Sequence, residues 1–505
     1  MLSKSKMKNK ILLLNPNWRH LEKVGRMSKI TSGIPLELLY IAGSLKKLNL
    51  EFKIIDLWGS DKNLQDFKPE ISDASIIVIN TAPSYLYWRD GTIDCELPRK
   101  IVQEVRAMNP QIKIIVIGPH GTVLPESIAS KDIDYLIRGE PDLIAAKLIE
   151  KIIKNKIGEL KGVCEWQGKK FHVSKDYATV NNLDEVDAPY EILDIKNYSI
   201  PEYPKKDRKK ITTYYEASRG CPFDCIFCFR EGFRGKLRFK SLKKISADLG
   251  KLKKLGVGYI YFIDECFGFD IPWFRKLLGI LKKYRIEWGC QTRPHLWNKK
   301  RIIEAAKNGC VLMEMGIESA NKRVLNALNK ESTDLSVVKE NVNTMLSFGI
   351  TPGLSFIVGS PYETKETIKE IKDFLLQFPA DKVLIGCHIM LPYPKTKLWN
   401  LGLKEGIPLH SWPDVRRYAG VIHNDFKEPK EVNLEIKRLL SYLRVKKAAS
   451  RMRAALKERA LANFMKNFII LVGSKVIIAL PRITPLFEKT MNLFKSGKFA
   501  TNDYL

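Results

Sequence analysis

The sequence predicts an α/β protein made of a doubly wound N-terminal domain, a partial (β/α) barrel of six units and a helical C-terminal region. Two observations carry that prediction. Short continuous Ile/Val runs such as Ile114-Ile-Val-Ile117 recur between helix-length stretches, the pattern of parallel strands buried on both faces. The alternation occurs twice, and residues 157–210 break it with segments rich in turn residues. At 505 residues the chain has room for two or three domains. Their expected bounds are 1–156, 157–205, 206–395 and 396–505.

In the first series, strands fit Lys10–Leu14, Phe52–Leu57, Ser75–Asn80, Lys113–Gly118 and Tyr135–Arg138. Helices fit Pro35–Leu48, Glu96–Met108 and Pro141–Lys154. An open sheet of this kind takes its ligand at the carboxyl ends of the strands. Those ends read Asn15-Pro16-Asn17, Asn80-Thr-Ala-Pro-Ser84, Gly118-Pro-His-Gly-Thr122 and Gly139-Glu140, small and polar loops that a bulky ligand can approach.

Between the series, Gly162 to Val173 reads as a β-hairpin around Gln167-Gly168, and Leu183 to Pro204 as an irregular connector. The second series begins at Ile211. Its strands fit Ile211–Ala217, Gly258–Ile263, Glu287–Gln291, Val311–Gly316, Leu354–Val358 and Lys382–Met390, separated by helical stretches such as Leu242–Leu255. Right-handed crossovers between six such units make a partial barrel with its active site at the strand carboxyl ends.

The loop after the first barrel strand carries Cys221, Cys225 and Cys228 in Ser218-Arg-Gly-Cys-Pro-Phe-Asp-Cys-Ile-Phe-Cys-Phe229. A trio spaced C-x3-C-x2-C can hold three irons of a 4Fe-4S cluster and leave the fourth open for chemistry. Zinc is the alternative reading, but it usually takes a fourth protein ligand, and none stands near in sequence. The spacing, with aromatic Phe227 before the third cysteine, resembles the signature of the radical S-adenosylmethionine (SAM) enzymes. In that family the open iron chelates the methionine part of SAM.

The resemblance continues strand by strand. It implies that Asp264 and Glu265 accept hydrogen bonds from the methionine ammonium, and that Arg293 meets its carboxylate or a polar substrate group. Gly316-Ile-Glu-Ser319 matches an element whose Glu318 and Ser319 contact SAM, and the stretch with Ile357 and Gly359 resembles the one that packs on adenine. Taken singly, a strand-end carboxylate is as readily a cap or a salt bridge. Cys266, Cys290, Cys310 and Cys387 read as small buried core residues.

Ile117-Gly-Pro-His-Gly-Thr-Val-Leu-Pro-Glu126, followed by Asp134-Tyr-Leu-Ile-Arg-Gly-Glu140, resembles the cobalamin-binding domain preceding the barrel in one branch of radical SAM proteins. The D-x-H-x-x-G signature that supplies a cobalt ligand is absent. The resemblance therefore implies cobalamin without a protein histidine on cobalt. Ser84, Gly118, His120, Gly121, Thr122 and Glu140 are its expected contacts, His120 as a loop residue touching the corrin or its tail.

The two cofactors together imply a cobalamin-dependent radical SAM C-methyltransferase that uses a 5′-deoxyadenosyl radical on an unactivated carbon of a lipid or specialised metabolite. Ring closure or carbon–carbon coupling, tRNA modification and a non-catalytic iron–sulfur protein are the alternatives. The net charge of +29 suits an anionic partner. No RNA-binding module with interleaved aromatics is evident, so nucleic acid is not the expected one. Reduction needs a donor such as ferredoxin or flavodoxin. The basic N-terminus is followed by too short an apolar run for a signal peptide, and nine cysteines fit a reducing cytoplasm. From Glu431 to Ala500, 15 Lys/Arg face 4 Asp/Glu, and Asn467–Leu480 places apolar runs around Lys475. This segment reads either as an interfacial helix on an anionic membrane or as a helical cap on the barrel.

Overall fold

The computed structural model describes residues 10–18, 33–82, 95–156, 158–198, 200, 203–204, 210–229, 234–457 and 470–471. The chain divides into two compact units, one of residues 1–223, 229–288 and 410–413, the other of residues 224–228, 289–409 and 414–505.

The first unit opens with a seven-stranded sheet. Its strands are β1 (Ile11–Asn15), β2 (Phe52–Asp56), β3 (Ile76–Asn80), β4 (Lys113–Ile117), β5 (Tyr135–Ile137), β6 (Val163–Gln167) and β7 (Lys170–His172), in the order β2-β1-β3-β4-β5-β6-β7. The first five pair in parallel. All five residues of β1 and of β3 are buried, as their unbroken apolar runs require. Helices Leu36–Lys47 and Ile144–Ile153 turn Leu38, Ile41, Leu45, Leu148 and Ile149 onto one face of the sheet, against Leu13, Val78, Ile115 and Ile137. Helix Glu96–Met108 buries Pro98, Ile101, Val102 and Val105 at helical spacing. Every strand and helix expected here forms, with ends shifted by a few residues at most.

One difference concerns the hairpin. It turns at Gly168, at φ +60°, but it is not an independent linker element. β6 pairs antiparallel with β5, and β7 with β6, so the hairpin widens the sheet and covers the β5 edge.

The barrel strands are β8 (Ile211–Tyr215), β11 (Val257–Phe262), β12 (Glu287–Thr292), β13 (Cys310–Glu318), β14 (Thr351–Val358) and β15 (Leu384–Ile389). Their sheet runs β15-β14-β13-β12-β11-β8, the six units expected. Two short strands, β9 (Ser218–Arg219) and β10 (Arg238–Phe239), pair antiparallel. In the first unit β8 pairs in parallel with β11; in the second β13, β14 and β15 do so with one another. The intervening helices start where side chains cap them: Ser241 accepts from Lys244 N–H, Asp270 from Trp273 N–H, and Thr364 from Thr367 N–H. Helices Lys397–Lys404, Trp412–Arg417 and Pro429–Lys457 form the C-terminal region. Apart from Ile470 and Leu471, the Asn467–Leu480 segment lies outside the described residues. Among those, no helix is long and apolar enough to cross a membrane.

Candidate functional site

In the N-terminal sheet the connections reverse direction between β1 and β3, where a doubly wound fold takes a ligand. The β1 and β2 ends are closed by the protein's own hydrogen bonds. Asn15 donates to Asp56 Oδ1 at 2.8 Å, and Tyr198 O–H donates to Asp56 Oδ2 at 2.7 Å. Burial pushes the Asp56 carboxyl up despite these donors. The β3 end differs: Asn80 Nδ2 and Thr81 Oγ1 are buried without a hydrogen-bond partner. A native interior rarely leaves such atoms unpaired, so they mark a place for a ligand or water. They adjoin a cleft lined by Glu37, Asn80, Gly118, Glu140, Asp142 and Arg234.

Gly118 and Glu140 thus stand at the cleft. The other described residues expected on cobalamin pack beneath it, and Ser84 lies outside the described residues. His120 is not a loop residue: it sits fully buried in the one-turn helix Pro119–Val123, edge-on to Trp412 at 5.0 Å between ring centres. Thr122 Oγ1 accepts from Gly139 N–H at 3.0 Å and donates to the Gly118 carbonyl at 2.8 Å. Gly118, at φ +117°, has no room for a Cβ, which would meet Thr81 Oγ1 at 2.4 Å. Gly121 is likewise closed by Leu136 at 2.5 Å. Both glycines are required by close packing within the chain. Asn80 and Thr81 are the residues that fit a cofactor here, and a buried Asn-Thr pair at a strand end was the available sequence signal.

The cysteine loop begins just past β8, and its first turn is fixed by the carboxylates that follow β11. Ala217 N–H donates to Asp264 Oδ2 at 3.1 Å, Ser218 O–H donates to Asp264 Oδ1, and Gly220 N–H donates to Glu265 Oε2 at 3.0 Å. Burial pushes the Asp264 carboxyl up to about 7, against the bonds from Ser218 and Ala217. Glu265 is also raised by burial, with Arg234 opposing. Asp264 and Glu265, expected to face a methionine ammonium, hold the backbone that leads into the cysteine loop. Buried backbone donors at a strand end need acceptors, and these carboxylates supply them.

Arg219, two residues before Cys221, is buried among acids. Its Nη1 and Nη2 donate to Asp142 at 2.9 and 2.7 Å, and its Nε donates to Glu216 at 2.7 Å. Burial disfavours the ionised forms of Asp142 and Glu216, yet the guanidinium holds both carboxyls below their ordinary range. Sequence reasoning missed this network, because nothing local pairs residues 77 positions apart.

No cysteine forms a disulfide, and Cys221, Cys225 and Cys228 are half-buried where Cys95, Cys164, Cys266, Cys290 and Cys310 are buried. Cys387, expected in the core, is also half-buried. Cys228 N–H donates to the Cys225 carbonyl at 3.1 Å, which turns the loop between these two cysteines. Arg293 Nη2 lies 3.6 Å from Cys225 Sγ. Among the described residues no three Cys, His, Asp or Glu side chains converge closely enough for one metal ion. A four-iron cluster takes one thiolate per iron instead. The three half-exposed thiols, in no disulfide, fit it by chemistry.

In the second unit, Glu318 ends β13 at φ +70°, beyond a register shift against β14. Its Oε1 pairs with Lys330 Nζ at 2.7 Å, and that ammonium also donates to the Gly316 carbonyl at 2.8 Å. Ser319 Oγ accepts from Asn321 N–H at 3.2 Å. Both therefore have protein partners, so any part Glu318 and Ser319 play in binding SAM is shared with a structural one. Past β14, Gly359 N–H and Ser360 N–H donate to Glu363 Oε2. Burial pushes the Glu363 carboxyl up to about 8, and its Oε1 has no hydrogen-bond partner. Ile357 and Phe227 are half-buried. Along these strands Glu314, Gly316, Ser355, Ile357, Gly386 and His388 make the more open face; Met315, Ile317, Leu354, Phe356, Val358 and Ile385 make the buried one. Glu314 and His388, which sequence reasoning did not single out, stand on that more open face.

Residues 215–375 match the Radical SAM superfamily. An uncharacterized methyltransferase of Pyrococcus horikoshii is 28% identical over 395 residues, covering 75% of this chain and 80% of that protein. An anaerobic magnesium-protoporphyrin IX monomethyl ester cyclase of Cereibacter sphaeroides is 25% identical over 408 residues, 77% of this chain and 63% of that one. The solved structure of the cobalamin-dependent S-adenosylmethionine radical enzyme OxsB, with aqua-cobalamin bound, superposes with a TM-score of 0.68 at 16% identity, over 97% of this chain and 75% of that chain. At that identity the likeness establishes the fold.

Proposed function

We propose that this chain, which carries a radical SAM domain at residues 215–375, is a cobalamin-dependent radical SAM C-methyltransferase acting on a small molecule or lipid. One observation carries the reading. A loop of three half-exposed cysteines outside any disulfide, anchored by Asp264 and Glu265, shares a chain with a doubly wound sheet that leaves Asn80 Nδ2 and Thr81 Oγ1 unsatisfied at its ligand end. When bound, the reduced 4Fe-4S cluster with SAM supplies a 5′-deoxyadenosyl radical, and methylcobalamin supplies the methyl group.

Cys221, Cys225 and Cys228 hold three irons, and Arg293 donates toward the Cys225 sulfur. Asp264 and Glu265 hold the backbone before Cys221 in place. Ile357, Gly359 and Phe227 border SAM, with Glu318 and Ser319 shaping the turn beside it. Asn80 and Thr81, with Gly118 and Glu140, meet cobalamin. His120, packed edge-on to Trp412, would not be a cobalt ligand in this reading. The domain limits at 156, 205 and 395, a ferredoxin or flavodoxin as electron donor, a cytoplasmic setting and contact of the C-terminal segment with an anionic membrane belong to the same reading.

The test is anaerobic reconstitution with iron, sulfide and hydroxocobalamin. Bound iron, bound corrin and 5′-deoxyadenosine formed from SAM are expected, and replacing the three cysteines by alanine should remove the iron and the 5′-deoxyadenosine. Extracts from cells with the protein should contain a metabolite or lipid one methylene heavier than in cells lacking it. Iron retained in the triple variant would refute the cluster assignment, and the absence of bound corrin would refute methyl transfer. A second reading, ring closure, is favoured by the similarity to the cyclase; a product lighter by two hydrogens, with no added carbon, would select it.

A further inference from the structure

We propose that Arg219 positions the cysteine loop, and that Asp142 makes this position depend on whether the cleft at the carboxyl ends of β3, β4 and β5 is filled. The inference rests on reading that cleft as the cobalamin cleft. Three charged residues that line it are each bonded into the approach to Cys221. Asp142 takes both terminal nitrogens of Arg219. Arg234 pairs with Glu216 at 2.9 Å and lies 3.4 Å from Glu265, whose other oxygen holds Gly220 N–H. Glu140 takes Arg238 through two bonds of 2.9 and 2.8 Å and lies 3.7 Å from Arg219. Arg238 in turn sits opposite Arg219 in the β9–β10 pair.

Each cleft residue thus has one side toward the ligand and the other on residues 216–220 or on the strand beside them. The side chains of Glu140, Asp142, Glu216, Arg219 and Arg234 are all at most 9% exposed. Water therefore cannot easily replace a lost partner, and a shift of one member changes the geometry of the next. A brace serving stability alone would have no reason to border the cleft.

The test uses the full chain reconstituted with iron and sulfide, with and without hydroxocobalamin. Two signals are followed: the rate of iron loss to a chelator and the paramagnetic resonance spectrum of the reduced cluster. Corrin binding should slow iron loss at least about fivefold. Asp142→Asn should bring that ratio close to one when hydroxocobalamin is supplied at a concentration that saturates the variant by its corrin absorbance. Equal rates in the natural protein, or an unchanged ratio in Asp142→Asn, would overturn the proposal. Should Asp142→Asn not fold, hydrogen exchange of residues 216–228 in the natural protein replaces it: slower exchange with hydroxocobalamin supports the coupling, and identical exchange defeats it. If no corrin binds, the cobalamin reading and the coupling to it both fail. The role of Arg219 is then read from Arg219→Lys, which keeps the charge and loses the fork. Faster iron loss and an altered cluster spectrum support that role; a spectrum and rate like the natural protein's refute it.

Discussion

Strand ends in the two sheets carry similar polar residues, yet they differ in how those residues are satisfied. After β11, Asp264 and Glu265 accept from the backbone that leads into the cysteine loop. After β3, Asn80 Nδ2 and Thr81 Oγ1 are buried and unpaired. The first arrangement spends its hydrogen bonds on holding the cysteine loop still. In the second, polar atoms are left for something the protein does not itself supply. A polar residue at a strand end therefore identifies a site only once its partner is known. Unpaired burial points to a ligand, and paired burial points to a scaffold.

The contrast can be broken most severely at Arg219. Arg219→Met leaves Asp142 and Glu216 buried without their shared cation, at a cost of about 3–5 kcal/mol. Urea unfolding should register this as a lower midpoint, and a loss below about 1 kcal/mol would mean the network relaxes easily.

Glu363 sharpens the comparison, since one oxygen is held by backbone and the other is unpaired. Its carboxyl is raised to about 8 from an ordinary 4.5. As pH rises through this window the unfolded chain gives up the proton first, so the folded state binds more protons and stability falls. The slope contributed is at most about 1.4 kcal/mol per pH unit, vanishing below about 4.5 and above about 8. Glu363→Gln should flatten that part of the stability–pH curve; an unchanged curve would show that Glu363 is ionised throughout.

A backbone change of the paired kind is Gly359→Ala. Gly359 lies at φ +86°, and a Cβ there would meet Gly420 Cα at 2.4 Å. Strain at such a residue costs about 1–3 kcal/mol, and the collision adds to it. Thermal unfolding measures the loss, and an unaltered midpoint would argue against the tight turn. The smallest effect belongs to the exposed Glu150–Lys154 pair, 2.6 Å apart. Glu150→Gln should cost only about 0.3–0.5 kcal/mol, because water screens and replaces the interaction. A larger loss would remove the distinction between buried and exposed pairs.

Much of this was legible beforehand. The apolar runs Ile76-Ile-Val-Ile79 and Ile114-Ile-Val-Ile117 mark β3 and β4, and all of these residues but none of the polar cleft residues announce themselves by periodicity. The hairpin around Gly168 was readable as a turn, whereas its pairing with β5 was not. Asp264, Glu265 and Glu318 were readable as strand-end carboxylates, but their partners Ser218, Gly220 and Lys330 were not. His120 looked like a loop histidine because its glycine neighbours suggest open chain; the Trp412 ring against it comes from nearly three hundred residues away.

The sequence alone determined the two βα series, the hairpin turn and the C-x3-C-x2-C loop, since each depends on residues close enough along the chain for a periodicity or a spacing to express it. Only the tertiary structure decided which buried polar atoms are paired, that Arg219 meets Asp142, and that Asn80 and Thr81 are left unsatisfied. Hydrogen-bond pairing in a buried site depends on distance and direction between groups far apart in sequence, and no local pattern of residue types records either.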